Sequence, residues 1–246
     1  MKKIFTLIAM FVFVLGAMAQ GQYFYEWKDG KYVQRSVSEV DSITFNLPDT
    51  PHQRVYKFVD LGLPSGTLWA DRNVGADSPE SYGDYFAWGE TTTKSTYNWS
   101  TYKWCKGDHS AMTKYCTYSS FGTVDNKIVL DLEDDAAYVN MGADWRMPTN
   151  DELNELVNNC TWTWTTQSGT EGYRVTGPNG NSIFLPATGC RYDSSLSSAG
   201  SDGWYWSALL NEFNPNNARI LYFNSGSHST SKGSRHSGHA VRAVAR

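Results

Sequence analysis

Trp145-Arg146-Met147-Pro148-Thr149-Asn150-Asp151-Glu152-Leu153-Asn154-Glu155-Leu156-Val157 is the stretch whose pattern decides the architecture. Thr149 and Glu152 stand at capping-box spacing, in which a hydroxyl accepts from the third helical residue and that residue's acid reaches back. Leu153, Leu156 and Val157 then form a buried stripe at helical spacing. A second helix is expected just upstream. Asp131 caps it, Glu133, Asp134 and Asp135 load its first turn with negative charge, Leu132, Ala136 and Val139 share a face, and Gly142 stops it.

The rest of this region is strand or loop. Tyr173 to Thr176 and Ser182 to Leu185 flank Gly177-Pro178-Asn179-Gly180, a hairpin turn. Trp204 to Ala208, Arg219 to Asn224 and His239 to Ala245 are expected as further strands. Two helices among antiparallel strands and long loops make an α+β domain, from about Val55 to the end. Before it, an aromatic run at Tyr23 to Trp27, the turn Lys28-Asp29-Gly30, a run at Lys31 to Val37 and Ser42 to Phe45 form a small β unit over residues 20–47. Two prolines and polar residues make 48–54 a linker.

Lys2 and Lys3, the apolar run Ile4 to Leu15 and Ala17-Met18-Ala19 have the three parts of a secretory signal peptide, with cleavage expected after Ala19. The apolar run is shorter than the roughly 20 residues of a membrane span, so no transmembrane segment is expected after cleavage. The expected location is the cell envelope or the exterior. Losing Lys2 and Lys3 moves the formal charge from −4 to −6. A mildly acidic chain with scattered basic residues is unsuited to nucleic acid, which needs clustered cations.

Four cysteines, Cys105, Cys116, Cys160 and Cys190, in a chain bound for an oxidising compartment are expected as disulfides. Three pairings exist; Cys105 with Cys116 and Cys160 with Cys190 is the favoured one. No CxxC knuckle or adjacent histidine pair supports zinc.

Trp145 to Thr149 with Asp151-Glu152 resembles the motif of formylglycine-generating-enzyme-like domains, which have the C-type lectin fold. Further motifs are Gly66 to Ala70, Asn73-Val74-Gly75, Gly83 to Glu90, Asp134 to Ala137, Phe184 to Ala187, Tyr205-Trp206-Ser207 and His239 to Arg242. In that order they resemble the Fibrobacter succinogenes major paralogous domain, a family of exported, C-type-lectin-like proteins. The resemblance covers about Val55 to Arg246. It implies a C-type-lectin-like domain with its chain ends joined in one sheet and a loop region displayed on one side.

The catalytic parts of enzymes on this fold are missing from the sequence. Formylglycine-generating enzymes use a reactive cysteine pair near the C-terminal part of the domain, and nothing after Cys190 is a cysteine. Residues 20–54 are too few for the helical domain that supplies iron-binding histidines in related sulfoxide synthases. His236 and His239 do not form a metal signature, and no GxSxG elbow is present. Asp134 and Asp135 lie side by side at a helix start rather than across a cleft. No enzyme activity and no resident cofactor are expected. Calcium is left open by the resemblance, although the lectin triplets Glu-Pro-Asn and Gln-Pro-Asp are missing.

The segment from Leu210 to Gly238 is crowded with Asn, Ser, Gly and His, a composition shared with adaptable binding surfaces. From composition alone it reads equally as a solvated loop. The resemblance implies a ligand face here, ahead of the closing strand, as in retroelement-diversified relatives. Its expected residues are Phe213, Asn214, Asn216, Arg219, Tyr222, Ser227, His228, Thr230, Arg235 and His236. Trp162 and Trp164, on one strand face, read as core, with a sugar platform as the rival. The expectation is an exported, non-catalytic binding or adhesion protein whose partner is a surface protein or glycan. The alternative is a structural or assembly component of the envelope.

Overall fold

The computed structural model describes the backbone at Tyr23–Lys28 and Lys31–Ser36 and residues 55–245. The chain divides into two units, 1–53 and 54–246. In the first, β1 (Tyr23–Lys28) and β2 (Lys31–Ser36) are antiparallel with Lys28 opposite Lys31, as a two-residue hairpin connection predicts. The expected signal peptide, the segment Ser42 to Phe45 and the linker 48–54 lie outside the described residues.

The second unit mixes two α-helices with short antiparallel sheets. Strands β3 (Phe58–Asp60) and β4 (Leu68–Ala70) open it. A long, mostly irregular stretch follows, and then helix α1 (Ala136–Met141), β5 (Trp145–Arg146) and helix α2 (Asn150–Asn159). Strands β6 (Thr161–Gln167), β7 (Thr170–Thr176) and β8 (Ser182–Pro186) form a meander, and β9 (Cys190–Tyr192) pairs with β10 (Ser195–Ser197). Strands β11 (Asp202–Leu210), β12 (Asn217–Asn224) and β13 (Ser227–Ser234) make the central sheet. Finally β14 (Val244–Ala245) inserts between β4 and β5, so that the beginning and the end of the unit share one sheet. No helix among the described residues is long and apolar enough to cross a membrane.

The α2 cap forms as its spacing predicts. Thr149 Oγ1 accepts from Glu152 N at 3.1 Å, and Glu152 Oε2 accepts from Thr149 N at 2.8 Å. Arg146 also reaches Glu152, at 2.5 Å and 2.7 Å, locking the loop into the helix start. Leu153 and Leu156 are buried and Val157 is half-buried. Helix α1 differs from expectation. A 3-10 turn occupies Leu132–Asp134, and the cap is Asp135, which accepts from Ala137 N and Tyr138 N. Four residues later than predicted, the start moves the buried face to Ala136 and Ala137, and Leu132 and Val139 are exposed.

Both faces of the central sheet are buried because alternate residues serve two clusters. Trp206, Ala208, Ala218 and Ile220 pack with Trp88, Tyr115 and Trp145, while Tyr205, Leu221 and Phe223 pack with Trp69, Leu153, Leu156, Tyr173 and Leu185. A Cβ at Gly203 would lie 2.0 Å from the Phe223 ring, so only glycine lets β11 pass there. Trp162 and Trp164 pack at the edge of the second cluster, on the side of the core reading. The expected strand His239 to Ala245 is regular only at its end. Before that the chain changes partner every few residues, from Phe86 to Trp204 and Trp206, then to Val74 and Ala70, which breaks a continuous ladder.

Two arginines lie inside this frame with no carboxylate beside them. Arg242 donates to Asn73 Oδ1 at 2.9 Å and to the carbonyls of Ala70 (3.2 Å) and Phe184 (2.8 Å). Burial lowers its pKa to about 10. Arg235 donates to Tyr102 Oη (2.8 Å) and to the carbonyls of Tyr115 (2.9 Å), Pro215 (2.9 Å) and Lys114 (3.1 Å). Its guanidinium lies 4.9 Å from the Trp88 ring centre. Replacing Arg235 by Met strands several buried acceptors and is expected to destabilise the fold by at least about 3 kcal/mol. Urea unfolding of the variant checks this, and an unchanged midpoint would contradict it.

Candidate functional site

The segment expected to be a polar loop, from Ser225 to His236, is largely the strand β13, hydrogen-bonded along its length to β12. Asn224 opposes Ser227, leaving Ser225-Gly226 as the turn. Its side chains alternate without apolar residues, so hydrophobic periodicity gives no sign of it. The Ser-Gly pair after Arg219 to Asn224 was the available signal.

This pairing divides the ten expected face residues. Phe213 is 71% exposed. With Asn214 and Arg219 it borders an open cavity of about 420 Å³, completed by Asn211, Ser231 and Lys232. Those last three belong to the polar segment but were not among the ten. The turn that carries Phe213 is held by Asn214 N to Asn211 O (3.0 Å), Asn217 N to Asn214 O (2.9 Å) and Asn216 N to Asn214 Oδ1 (3.1 Å). Asn216 accepts from Arg235 N at 3.0 Å through its carbonyl and serves this scaffold.

Other expected residues lie elsewhere. Tyr222 points to the opposite face of β12 from Arg219 and meets Trp204 edge-on at 4.7 Å. Ser227 is exposed at the hairpin tip, and His228 stacks on Trp162 at 4.5 Å. Thr230 donates to Asn154 Oδ1 of α2 at 2.7 Å. Arg235 and His236 are not face residues. The first is fully buried in the network described above, and the second is buried edge-on against Trp99 at 4.5 Å. The polar composition around them concealed two side chains that turn inward.

Arg219 and Lys232 are directly opposite each other on β12 and β13. Neither has an ion-pair partner among the described residues. Like charges directly opposite in an antiparallel pair are destabilising. Asn211 borders the cavity, and its side-chain amide makes no hydrogen bond among the described residues. A second cavity, of about 400 Å³, has Phe184 and Ile183 in its wall and Asp71, Gln167 and Arg174 among its polar groups. Asp71 is already engaged by Arg72 and Lys57 N, and Gln167 by Glu80. The first cavity therefore offers more unspent polar groups.

The residues considered for chemistry are otherwise occupied. The four cysteines are free rather than bridged. Cys105 Sγ turns to Trp99 O at 3.1 Å and Cys116 Sγ to Tyr118 O at 3.2 Å, and Cys160 and Cys190 end α2 and begin β9. Burial raises the Cys105 and Cys190 thiols above their usual range and the Cys160 thiol to about 11, which keeps them protonated at neutral pH. Asp131, Glu133 and Asp134 converge, but Lys114 Nζ sits 2.6 Å from both aspartates and 3.5 Å from Glu133. Burial alone would lower the Lys114 pKa, but the hydrogen bonds to Asp131 and Asp134 outweigh it and raise it. The Lys114 ammonium thus engages all three carboxylates. Comparison of the chain with family models, with curated proteins and with solved structures finds no match.

His239 is buried between Trp204 (5.4 Å) and Trp206 (4.2 Å), and neither ring nitrogen has a hydrogen-bond partner among the described residues. Burial first, and His236 second, lower its pKa to about 3. The unfolded chain, with an ordinary histidine, binds a proton between about pH 6.5 and 3 that the folded chain does not. Stability is therefore lost as pH falls through that window, at about 1.4 kcal/mol per pH unit. In His239→Leu this component of the slope should vanish, as urea unfolding between pH 7 and 4 would show; identical slopes would contradict the assignment. At the cavity, Lys232→Glu turns the repulsive cross-strand pair attractive and should raise stability by about 0.2–1 kcal/mol, measured by thermal unfolding at low salt.

Proposed function

We propose that this chain is an exported, non-catalytic binding or adhesion module, and that it engages a surface protein or glycan through the cavity beside Phe213. The observation that carries this reading is the convergence, on one concave surface, of an exposed aromatic ring and polar groups with no partner among the described residues. Asn211, Arg219 and Lys232 supply those groups. Binding sites combine a concave form with a few placed polar groups, and exposed aromatic residues anchor interfaces.

The resemblance to the Fibrobacter succinogenes major paralogous domain supports export and a C-type-lectin-like arrangement. The shared sheet of β3, β4, β14 and β5, joining the ends of the domain, agrees with that arrangement. Protonated thiols, the Lys114-filled acidic cluster and the inward-facing His236 and His239 favour binding over catalysis. The expected ligand face is narrowed to Phe213, Asn214 and Arg219, joined by Asn211, Ser231 and Lys232.

A screen of the exported chain against glycans and surface proteins, with and without calcium, tests the reading beside Phe213→Ala/Asn214→Ala. The variant should stay folded, with at most a small drop in melting temperature from the lost Asn216 N to Asn214 Oδ1 bond, and bind the selected ligand at least about tenfold more weakly, a loss of about 1.4 kcal/mol. Undiminished binding would move the site away from this cavity.

A further inference from the structure

Arg219 and Lys232 pose a question that the sheet itself does not answer. A register that sets two cations opposite each other, with no acid to separate them, is unfavourable in the free protein. The segment 211–219 contains one acid, Glu212, and it does not line the cavity; 225–238 contains none. In a chain of net charge −4 this pair is therefore a local exception. An oxyanion lying between the two side chains converts the repulsion into two charge-assisted hydrogen bonds.

The neighbouring groups define what else the anion carries. Asn211 presents an amide with no hydrogen-bond partner among the described residues, able to donate and to accept. Asn214 uses its Oδ1 on Asn216 N, and its amide NH₂ has no partner among the described residues. Phe213 holds a ring at the rim. Such a set matches a compact ligand with one anionic group, several hydroxyls and an apolar ring face, and the cavity of about 420 Å³ falls in the size range of small-ligand sites.

We propose that the cavity binds a carboxylated sugar. Its carboxylate bridges Arg219 and Lys232, its hydroxyls meet Asn211 and Asn214, and its C–H face lies on Phe213. An acidic peptide would satisfy the cations but leave the clustered amides with less to recognise. The sugar can be free or the end residue of an acidic glycan, since both present the same chemistry. This inference rests on the assignment of the cavity as the binding site.

The test is calorimetric titration of the full chain with glucuronate, galacturonate and N-acetylneuraminate, beside glucose, galactose and hexaglutamate, at 25 mM and 500 mM NaCl (about 20 Å and 4 Å of screening length). At least one sugar acid should bind, about tenfold or more tighter than the neutral sugars, and weaken at high salt. Arg219→Gln/Lys232→Gln should remove that preference without lowering the melting temperature. If this double variant melts lower, Lys232→Gln alone supplies the comparison. A glycan chain ending in the preferred acid, bound more tightly than the free sugar, identifies the source as a glycan; equal binding identifies the monosaccharide. Equal binding of acid and neutral sugars, preference for hexaglutamate, unchanged binding by the variant, or no binding of any sugar acid would each overturn the proposal. A ligand found in the glycan and protein screen and lost in Phe213→Ala/Asn214→Ala would then leave the binding site standing without its anion. Loss of both results removes the site itself.

Discussion

The burial of Arg235 without a carboxylate is the constraint on which much of the second unit depends. An isolated buried cation is expensive unless its donors are all met. Here carbonyls from 114, 115 and 215, a tyrosine hydroxyl from 102 and the faces of Trp88 and Tyr102 supply the counter-dipoles. Those partners come from loops with little regular structure, so one guanidinium does for them what a sheet ladder does elsewhere. Arg242 plays the same part between the β4 end, Asn73 and β8. Because Arg235 also grips Pro215 and, through its own N–H, Asn216, it fixes the turn that presents Phe213. A residue whose charge suggests a place at the surface instead holds the Phe213 turn from behind.

The parts of this fold that were legible in the sequence are those in which a local rule and tertiary packing agree. The α2 cap is one, since Thr149, Glu152 and the leucine stripe all specify the same helix. The turn at Gly177 to Gly180 is another, and it is tightened by Gly177, where a Cβ would meet Leu61 O at 1.9 Å. Helix α1 was misplaced at its start because Asp131 and Asp135 both satisfy the capping preference. Only the tertiary bond from Met147 N to Asp135 Oδ2, at 2.8 Å, singles out the second. Strand β13 was missed because an edge strand of Ser, Thr, His and Lys carries no apolar alternation; its register comes from β12, not from its own composition.

The candidate site was legible as a segment and not as a geometry. Phe213, Asn214 and Arg219, expected from their residue types, border one cavity. Arg235 and His236 could not be separated from them by residue type, since burial of a polar group depends on partners far away in sequence. Lys232 acquires meaning only through its register with Arg219. The cysteines teach the same lesson: compartment and count made bridges the default, but thiol direction decides, and here the thiols of Cys105 and Cys116 turn to different carbonyls.

Arg235 and Arg219 belong to opposite designs within one hairpin. Around Arg235, carbonyls, a hydroxyl and aromatic faces of the protein answer the buried charge. At Arg219 and Lys232 the register keeps two like charges opposite each other, beside an amide with no partner among the described residues and an aromatic ring left largely in water. Local rules tend to be broken where function requires it, with stability supplied elsewhere. The buried sheet beneath supplies it here: Ile220 and Leu221, next to Arg219, are both fully buried on opposite faces, and their packing fixes the register against the repulsion. The same rigidity holds the two cationic residues opposite each other along the backbone, so it is their long side chains, not the sheet, that must answer the repulsion.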